Sequence, residues 1–564
     1  MTSLVKGLDD GEVNSSGDFF AARMRVQQNF FGRTVIMELL KKRVLDLKEG
    51  YRQNVALFGN RYIGKTTILQ HFLANLDEEI TVLYIDVENK DFRFFLDQFV
   101  GTLLHHYSFS RKLPLYEDVA LLLESVQESI PHTVSVIRKI YKDYHAKKLS
   151  TSFHGLLALP EIFTNETGRV CVLVLDEFHR LEEVTVPGAF AYLGKKIMTQ
   201  KKCLYVVTSS SPQQAQKILS EKLSLLFGNF EMIPVDPLDP QTSREFIEET
   251  LQGIRIKEPL RDFLVDFTGG YPLYLQLVCK ELAGLSVLHD QDEIFIPVLT
   301  QAIENTIFNR WGLISRHFEL MVQELAAGKG NQIIPALLMC LANDKHKADD
   351  LCAELGFKRN QVAGKINRLR EEGVIFKNGN FYYFRDKLLK YWIKYIFQPR
   401  LKNVGIGPEQ HRELFQQEFQ SCIENFKVTS TKDLPLRVME LLYCFDNEAF
   451  DLNGRKYKLP LFREILPWKI SNEQGQSLNV IKALTNEDVW LIAVKGENVS
   501  EAEVSALLEE SRKDAPKPRR HLIISLKTLD ENTRLKALQE RCWIWNEEEI
   551  NTLLTLFNKP YISR

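Results

Sequence analysis

The 564-residue chain has no long apolar run. No segment approaches the eighteen or so apolar residues that a membrane span requires, and the opening MTSLVKGLDDGEVNSSGDFF lacks the basic start and apolar stretch of a secretory leader. The expected location is therefore the cytoplasm, with no membrane partner. An excess of one charge is missing too: 72 Lys and Arg stand against 74 Asp and Glu, a net −2. Such a chain has no overall attraction to nucleic acid, so any such binding must come from a local basic patch. Paired CxxC cysteines are also absent. The eight cysteines, at Cys171, Cys203, Cys279, Cys340, Cys352, Cys422, Cys444 and Cys542, are scattered, and Cys171 and Cys203 lie in apolar runs, so they read as reduced core thiols. There is no internal repeat and no low-complexity tract.

What is present is an ordinary globular composition, 45% hydrophobic and 26% charged. The length exceeds what one core organises, which predicts about three domains. From Asn54 to about Pro237, the short apolar runs VALFG, TVLYIDV, VCVLVLDE, CLYVVTSS and FEMIPVDPL are each followed by helix-like sequence, which predicts an α/β fold with a largely parallel sheet. Residues 239–330 lose the strand signal and read as a helical lid, including Ser243–Leu251 and Tyr274–Leu285. Residues 331–400 give three helices and then VIFKNGNFYYF, where Asn378-Gly379 between aromatic runs signals a hairpin; together they predict a winged helix-turn-helix. After a polar helix over about Pro408–Phe426, LNVIKAL, VWLIAVKG and HLIISL predict a smaller α/β domain over 401–564. Residues 1–27 read as a tail and 28–238 as the core.

Within the core, Val55–Phe58 is a buried strand followed by Gly59-Asn60-Arg61-Tyr62-Ile63-Gly64-Lys65-Thr66 and then a helix, the context that GxxxxGK[ST] needs. Gly59 and Gly64 let the backbone wrap so that its N–H groups point at phosphate oxygens, aided by the helix N-terminus. Lys65 is expected to bridge β- and γ-phosphates and the Thr66 hydroxyl, beside Thr67, to ligate Mg²⁺. Val172–Leu175 is an apolar strand ending in Asp176-Glu177: Asp176 is expected near Mg²⁺, and Glu177 as the base that orients or deprotonates water. The strand Leu204–Thr208 ends in Thr208-Ser209-Ser210, either a γ-phosphate sensor or a plain polar turn. The implied cofactors are ATP and Mg²⁺.

These residues, with Phe30-Phe31-Gly32-Arg33 upstream and Thr268-Gly269-Gly270-Tyr271-Pro272 downstream, resemble the archaeal-type ATPases of the STAND class, relatives of the origin-recognition AAA+ ATPases, over roughly residues 28–400. The resemblance implies that Gly32 and Arg33 lie by the base and ribose, and that Gly270 and Pro272 belong to a Gly-x-Pro element linking nucleotide to the winged helix. In Leu226-Phe227-Gly228-Asn229-Phe230, Asn229 stands where the family often has arginine, which implies slow hydrolysis or another cation. Arg180 is either that substitute or a solvated charge. Trp490–Lys495 and the acidic helix Glu501–Glu510 resemble the restriction-endonuclease-like fold. Its two carboxylate positions are expected at Asn479 and Ala493, leaving only Lys495, so cleavage is expected to be lost; Glu487 and Asp488 offer a rescue site or a solvated turn.

Helix Arg359–Glu372 is the expected recognition helix. Lys358, Arg359, Lys365, Arg368 and Arg370 form a basic face for duplex DNA, Gln361 and Asn367 can reach base edges, and the wing adds Lys377. The alternative is a module that packs on the ATPase core or a protein partner, including a second copy. Phe381–Phe384 read as wing-strand core. Function is expected to be an ATP-driven switch acting on or with DNA, or a DNA-binding regulator with nucleotide as a structural ligand.

Overall fold

In the computed structural model, five apolar runs form one sheet: β1 (Asn54–Phe58), β2 (Thr81–Asp86), β3 (Cys171–Asp176), β4 (Cys203–Ser209) and β5 (Phe230–Pro234). The structure describes residues 30–87, 91–223, 228–328, 330–402, 405, 407–471, 477–513 and 520–562, so the expected tail 1–27 lies outside the described residues. The order is β2-β3-β4-β1-β5 and every pairing is parallel. All residues of β1, β3 and β4 are buried. Strands covered on both faces need apolar side chains on both, which is why these runs show no alternation.

Between β2 and β3 the chain makes four helices, Phe92–Ser110, Val119–Val126, Pro131–His145 and Leu149–Thr167. Phe95, Phe99, Ile137 and Phe153 from these helices share one core with Leu83, Leu173 and Tyr205 of the sheet. The strand order sets β3, β4 and β1 side by side, with Phe58 opposite Ser209 and Leu175 opposite Val207. The residues just after β1 and β3 and at the end of β4 therefore share one sheet edge, the carboxyl edge where ligands bind in open parallel sheets.

The chain divides into two units after Pro237. The second unit begins with helices Pro240–Thr250, Glu258–Thr268, Pro272–His289, Ile296–Ile307 and Leu313–Ala326. Two short strands, β6 (Arg255–Ile256) and β7 (Glu293–Ile294), pair in parallel among them; at two residues each they leave no periodic signal, and the all-helical reading missed them. Helices Ile334–Ala342, Ala348–Leu355 and Arg359–Glu371 then lead into an antiparallel hairpin, β8 (Ile375–Asn378) and β9 (Phe381–Phe384). Its turn is docked. A Cβ on Gly379 would collide with the carbonyl of Ala449, and the Asn378 amide brackets the Asp451 backbone, donating at 2.9 Å and accepting at 2.6 Å. Phe381 and Tyr383 share a core with Phe450 and Trp545.

Following helices Pro408–Ser430 and Leu434–Leu442, the chain forms a ribbon, β10 (Ala449–Leu452) with β11 (Arg455–Lys458). It ends in a mixed sheet ordered β12 (Glu464–Ser471), β13 (Ser477–Leu484), β14 (Val489–Lys495), β15 (Arg520–Ser525), β16 (Trp543–Trp545). The register corrects one expectation. Asn479 pairs with Val494 whereas Ala493 pairs with Val480, and since strand side chains alternate, Asn479 lies on the face opposite Ala493 and Lys495. The two supposed carboxylate positions do not share a face. Ala493 is buried against Val480 and Val504, and the Lys495 amine is held by both oxygens of Glu503 at 2.7 and 3.0 Å. Glu503 also accepts the Ser500 N–H at 2.7 Å, closing the start of helix Glu501–Lys513. Glu487 and Asp488 form a turn in which Thr485 Oγ1 accepts both their N–H groups, the solvated-turn alternative.

Candidate functional site

The loop after β1 turns tightly. A Cβ on Gly59 would collide with the Val235 carbonyl, and Gly64, at φ 92°, starts helix Lys65–Ala74 from the left-handed region that favours glycine. That helix leaves its first backbone N–H groups free of intrahelical partners and directs them at the loop. The Lys65 amine is buried and donates to the carbonyls of Gly59 at 2.8 Å and Asn60 at 2.9 Å. Burial pulls its pKa down, while Glu177 and Asp176 oppose that shift. Thr66 and Thr67 are exposed.

Asp176, at the end of β3, is buried and carries three hydroxyl donors. Thr66 Oγ1 reaches Oδ2 at 3.0 Å, Tyr84 from β2 reaches the same oxygen at 2.5 Å, and Thr208 from β4 bonds Oδ1. Burial, then Asp176, pushes the Tyr84 phenol far above its ordinary range, so it stays a donor. Thr208 Oγ1 also accepts the Glu177 N–H at 3.1 Å. Glu177 sits in the left-handed region at φ 55°, 4.0 Å from the Lys65 amine, and accepts the Ser210 N–H at 2.7 Å. Ser209 contacts His179 Nδ1 at 2.9 Å, and the imidazole pKa is pulled down to about 4 by burial and then by Arg180. Tyr84 and His179 were not singled out in the sequence; the signals were a hydroxyl-bearing aromatic inside the TVLYID run and a histidine two residues after Glu177.

Thr66 and Asp176 thus present adjacent oxygens suited to a hard divalent cation. Among the described residues no group of three or more His, Cys, Asp or Glu is placed to hold a metal.

Residues 30–278 match the family model described as an ATPase domain predominantly from Archaea. This stretch is a P-loop ATPase domain. The match runs past the first unit and includes Gly270 and Pro272. No curated protein matches the chain. Among solved structures, the Walker-type ATPase paby2304 of Pyrococcus abyssi is similar at 16% identity and a TM-score of 0.49, covering 65% of this chain and 97% of that one. The Aeropyrum pernix ORC2 protein, in ADPNP-ADP complexes, is similar at 12% identity and a TM-score of 0.43, covering 67% and 98%. The Thermotoga maritima RuvB Holliday junction branch migration motor is similar at 13% identity and a TM-score of 0.34, covering 65% and 96%. Likenesses this distant assign no activity.

Other sequence-selected residues fall as follows. Gly32 and Arg33 both have positive φ; Arg33 caps helix Thr34–Lys48 and donates to the Asp236 carbonyl, and the neighbouring Phe30 ring stacks on His71 of the ATPase-domain helix Lys65–Ala74 at 4.0 Å. Gly270 and Pro272 belong to the second unit. Gly270 accepts the Leu238 N–H at 2.9 Å, and Pro272 is the first residue of helix Pro272–His289. Leu226 and Phe227 lie outside the described residues; Asn229 is exposed. Lys358, which caps helix Arg359–Glu371, and Arg359 and Arg370 on it are exposed, whereas two other basic residues are half-buried. Lys365 donates to Asn331 at 2.9 Å, and Arg368 reaches the Glu324 carbonyl at 3.4 Å. Among the described residues no helix is long and apolar enough to cross a membrane.

Proposed function

We propose that the chain is an ATP-driven switch whose ATPase domain hydrolyses slowly and whose second unit acts on duplex DNA. The observation that carries the reading is the convergence of Lys65, Thr66, Asp176, Glu177 and Thr208 on one edge of the parallel sheet. In this reading Lys65 and the N–H groups of the loop Gly59–Thr66 hold the β- and γ-phosphates, Gly32 and Arg33 flank the base and ribose, and Glu177 takes the proton from attacking water. Thr66 and Asp176 hold Mg²⁺, which when bound supplies charge neutralisation at the phosphates. Thr208 and Ser209 sense the γ-phosphate end.

Coupling is supported inside the second unit. Tyr274, two residues after Pro272, donates to Asp386 at 2.7 Å, and Asp266 pairs with Lys387. Asp386 and Lys387 begin the helix after the hairpin, so a shift of the Gly270-Pro272 segment reaches the end of the three helices and hairpin that we read as a winged helix. The DNA face is Lys358, Arg359 and Arg370 of its third helix; Lys365 and Arg368 are withdrawn from it. The hairpin tip, packed on Ala449, is a structural joint. The terminal domain is read as an endonuclease-like fold without cleavage, since Ala493, Asn479 and Lys495 assemble no carboxylate pair.

A second reading, nucleotide as a structural ligand with little turnover, is favoured by Asn229 in place of a cationic residue. ATP turnover measured with and without duplex DNA at fixed salt separates the two. Stimulation by DNA supports the coupled switch; tight ATP binding with no turnover in either condition supports the structural ligand.

A further inference from the structure

The Glu177 carboxylate is held asymmetrically. Its Oε2 accepts the Ser210 N–H at 2.7 Å and lies 3.4 Å from His179 Nδ1, while Oε1 lies 4.0 Å from the Lys65 amine. The same Nδ1 is 2.9 Å from Ser209 Oγ. The two neighbours of Nδ1, Ser209 and Glu177, together point to one tautomer. Its hydroxyl hydrogen has an acceptor in the Ser211 carbonyl at 3.1 Å, and its oxygen accepts the Ser211 N–H at 3.0 Å, leaving a lone pair that wants a donor. A bare Nδ1 lone pair would also face the Glu177 carboxylate, which repels it. An Nδ1–H donates to Ser209 Oγ at 2.9 Å and turns a positive edge, not a lone pair, toward Glu177 Oε2 at 3.4 Å. The His179 side chain is 7% exposed, so water does not compete strongly for that proton, and burial keeps the ring neutral.

We propose that His179 is a positioning residue for Glu177: its Nδ1–H, steadied by Ser209 and joined by the Ser210 N–H, clamps Oε2 and leaves Oε1, the oxygen on the Lys65 side, to act on substrate water. The clamp belongs to the end of β4, the strand whose Thr208 bonds both Asp176 and the Glu177 N–H. One strand end thus sets the metal-side acid and the base together, so a displacement at Ser209 or Ser210 alters the base without touching the loop that holds phosphate. The inference rests on reading Glu177 as the base.

Two measurements on the full chain test it. Long-range ¹H–¹⁵N spectra of histidine-labelled protein at neutral pH, with His179 assigned by its loss in His179→Phe, should show the Nδ1–H tautomer; an Nε2–H tautomer overturns the clamp. In kinetics, His179→Phe keeps the ring volume without a donor, and His179→Asn restores an N–H near the Nδ1 position. Expected is a fall in kcat of about tenfold in His179→Phe with ATP affinity unchanged, recovery to within about threefold in His179→Asn, and no further fall when His179→Phe is added to Glu177→Gln. Unchanged kcat in His179→Phe, or His179→Asn no better than His179→Phe, overturns the proposal. Absence of turnover in the wild type overturns the reading of Glu177 itself, and the tautomer, which does not depend on turnover, tells that failure apart.

Discussion

Replacing Tyr84 by phenylalanine removes one oxygen and keeps the ring. That oxygen donates to Asp176 Oδ2 at 2.5 Å, where Thr66 also donates at 3.0 Å, while Thr208 serves Oδ1. A hydrogen bond to a charged acceptor is worth roughly 1.5–3 kcal/mol, and because Asp176 keeps two of its three donors the loss falls in the lower half, about 1.5–2 kcal/mol. For a domain of this size each kcal/mol moves the midpoint by roughly 2–4 °C, so the ATPase-domain transition should drop by about 3–8 °C. Thermal unfolding of nucleotide-free full-length protein measures this, the relevant transition being the one that ATP raises. The same change relieves Oδ2 of one of its two donors, so the Mg²⁺ concentration needed for half of the ATP-induced shift should fall. A midpoint within about 1 °C of the wild type, set against the stated conversion, would refute the claim that Tyr84 bonds Asp176.

Lys65→Ala removes the amine that the loop carbonyls hold and should weaken ATP binding by about 100-fold or more, by loss of a charge-assisted phosphate contact; unchanged affinity by calorimetry sinks its assignment. His179 contributes a pH dependence of defined sign. Its pKa falls from 6.5 unfolded to about 4 folded, so its contribution is complete above pH 6.5 and is lost as pH drops toward 4, where the unfolded chain binds a proton that the folded chain refuses. The loss approaches about 3 kcal/mol, and urea midpoints between pH 7 and 4 should fall less steeply in His179→Phe; parallel curves would contradict it. Lys358→Glu with Arg370→Glu should weaken duplex DNA binding and lower the slope of log K against log salt by about 2; an unchanged slope removes these residues from the DNA face.

The five core strands are legible in sequence because burial on both faces demands uninterrupted apolar runs, and the loop Gly59–Thr66 is legible because strand, glycines, lysine and helix must follow one another along the chain. Partnerships made across the sheet are not. Tyr84 meets Asp176 only because β2 lies beside β3, and His179 meets Ser209 only because β3 lies beside β4, facts of strand order that no local pattern carries. That Asn479 and Ala493, the two expected carboxylate positions, lie on opposite faces is hidden for the same reason, since a register unknown by one residue reverses every side chain. On helix Arg359–Glu371 the count of basic residues was readable but not their direction: Val362, Ile366 and Leu369 are buried and turn Lys365 and Arg368 with them toward the preceding segments. The docking of the Gly379 turn on Ala449 joins residues seventy apart in sequence, and nothing local announced it.

The central claim is that Glu177 is the base of a working ATPase site built on Lys65 and Asp176. Steady-state ATP turnover with Mg²⁺, measured beside ATP affinity for the wild type and Glu177→Gln, tests it most directly. The account predicts slow but measurable wild-type turnover, and a variant that binds ATP as well as the wild type while its turnover falls by about 100-fold or more, at the level of losing a general base. Equal turnover in the two proteins would contradict it.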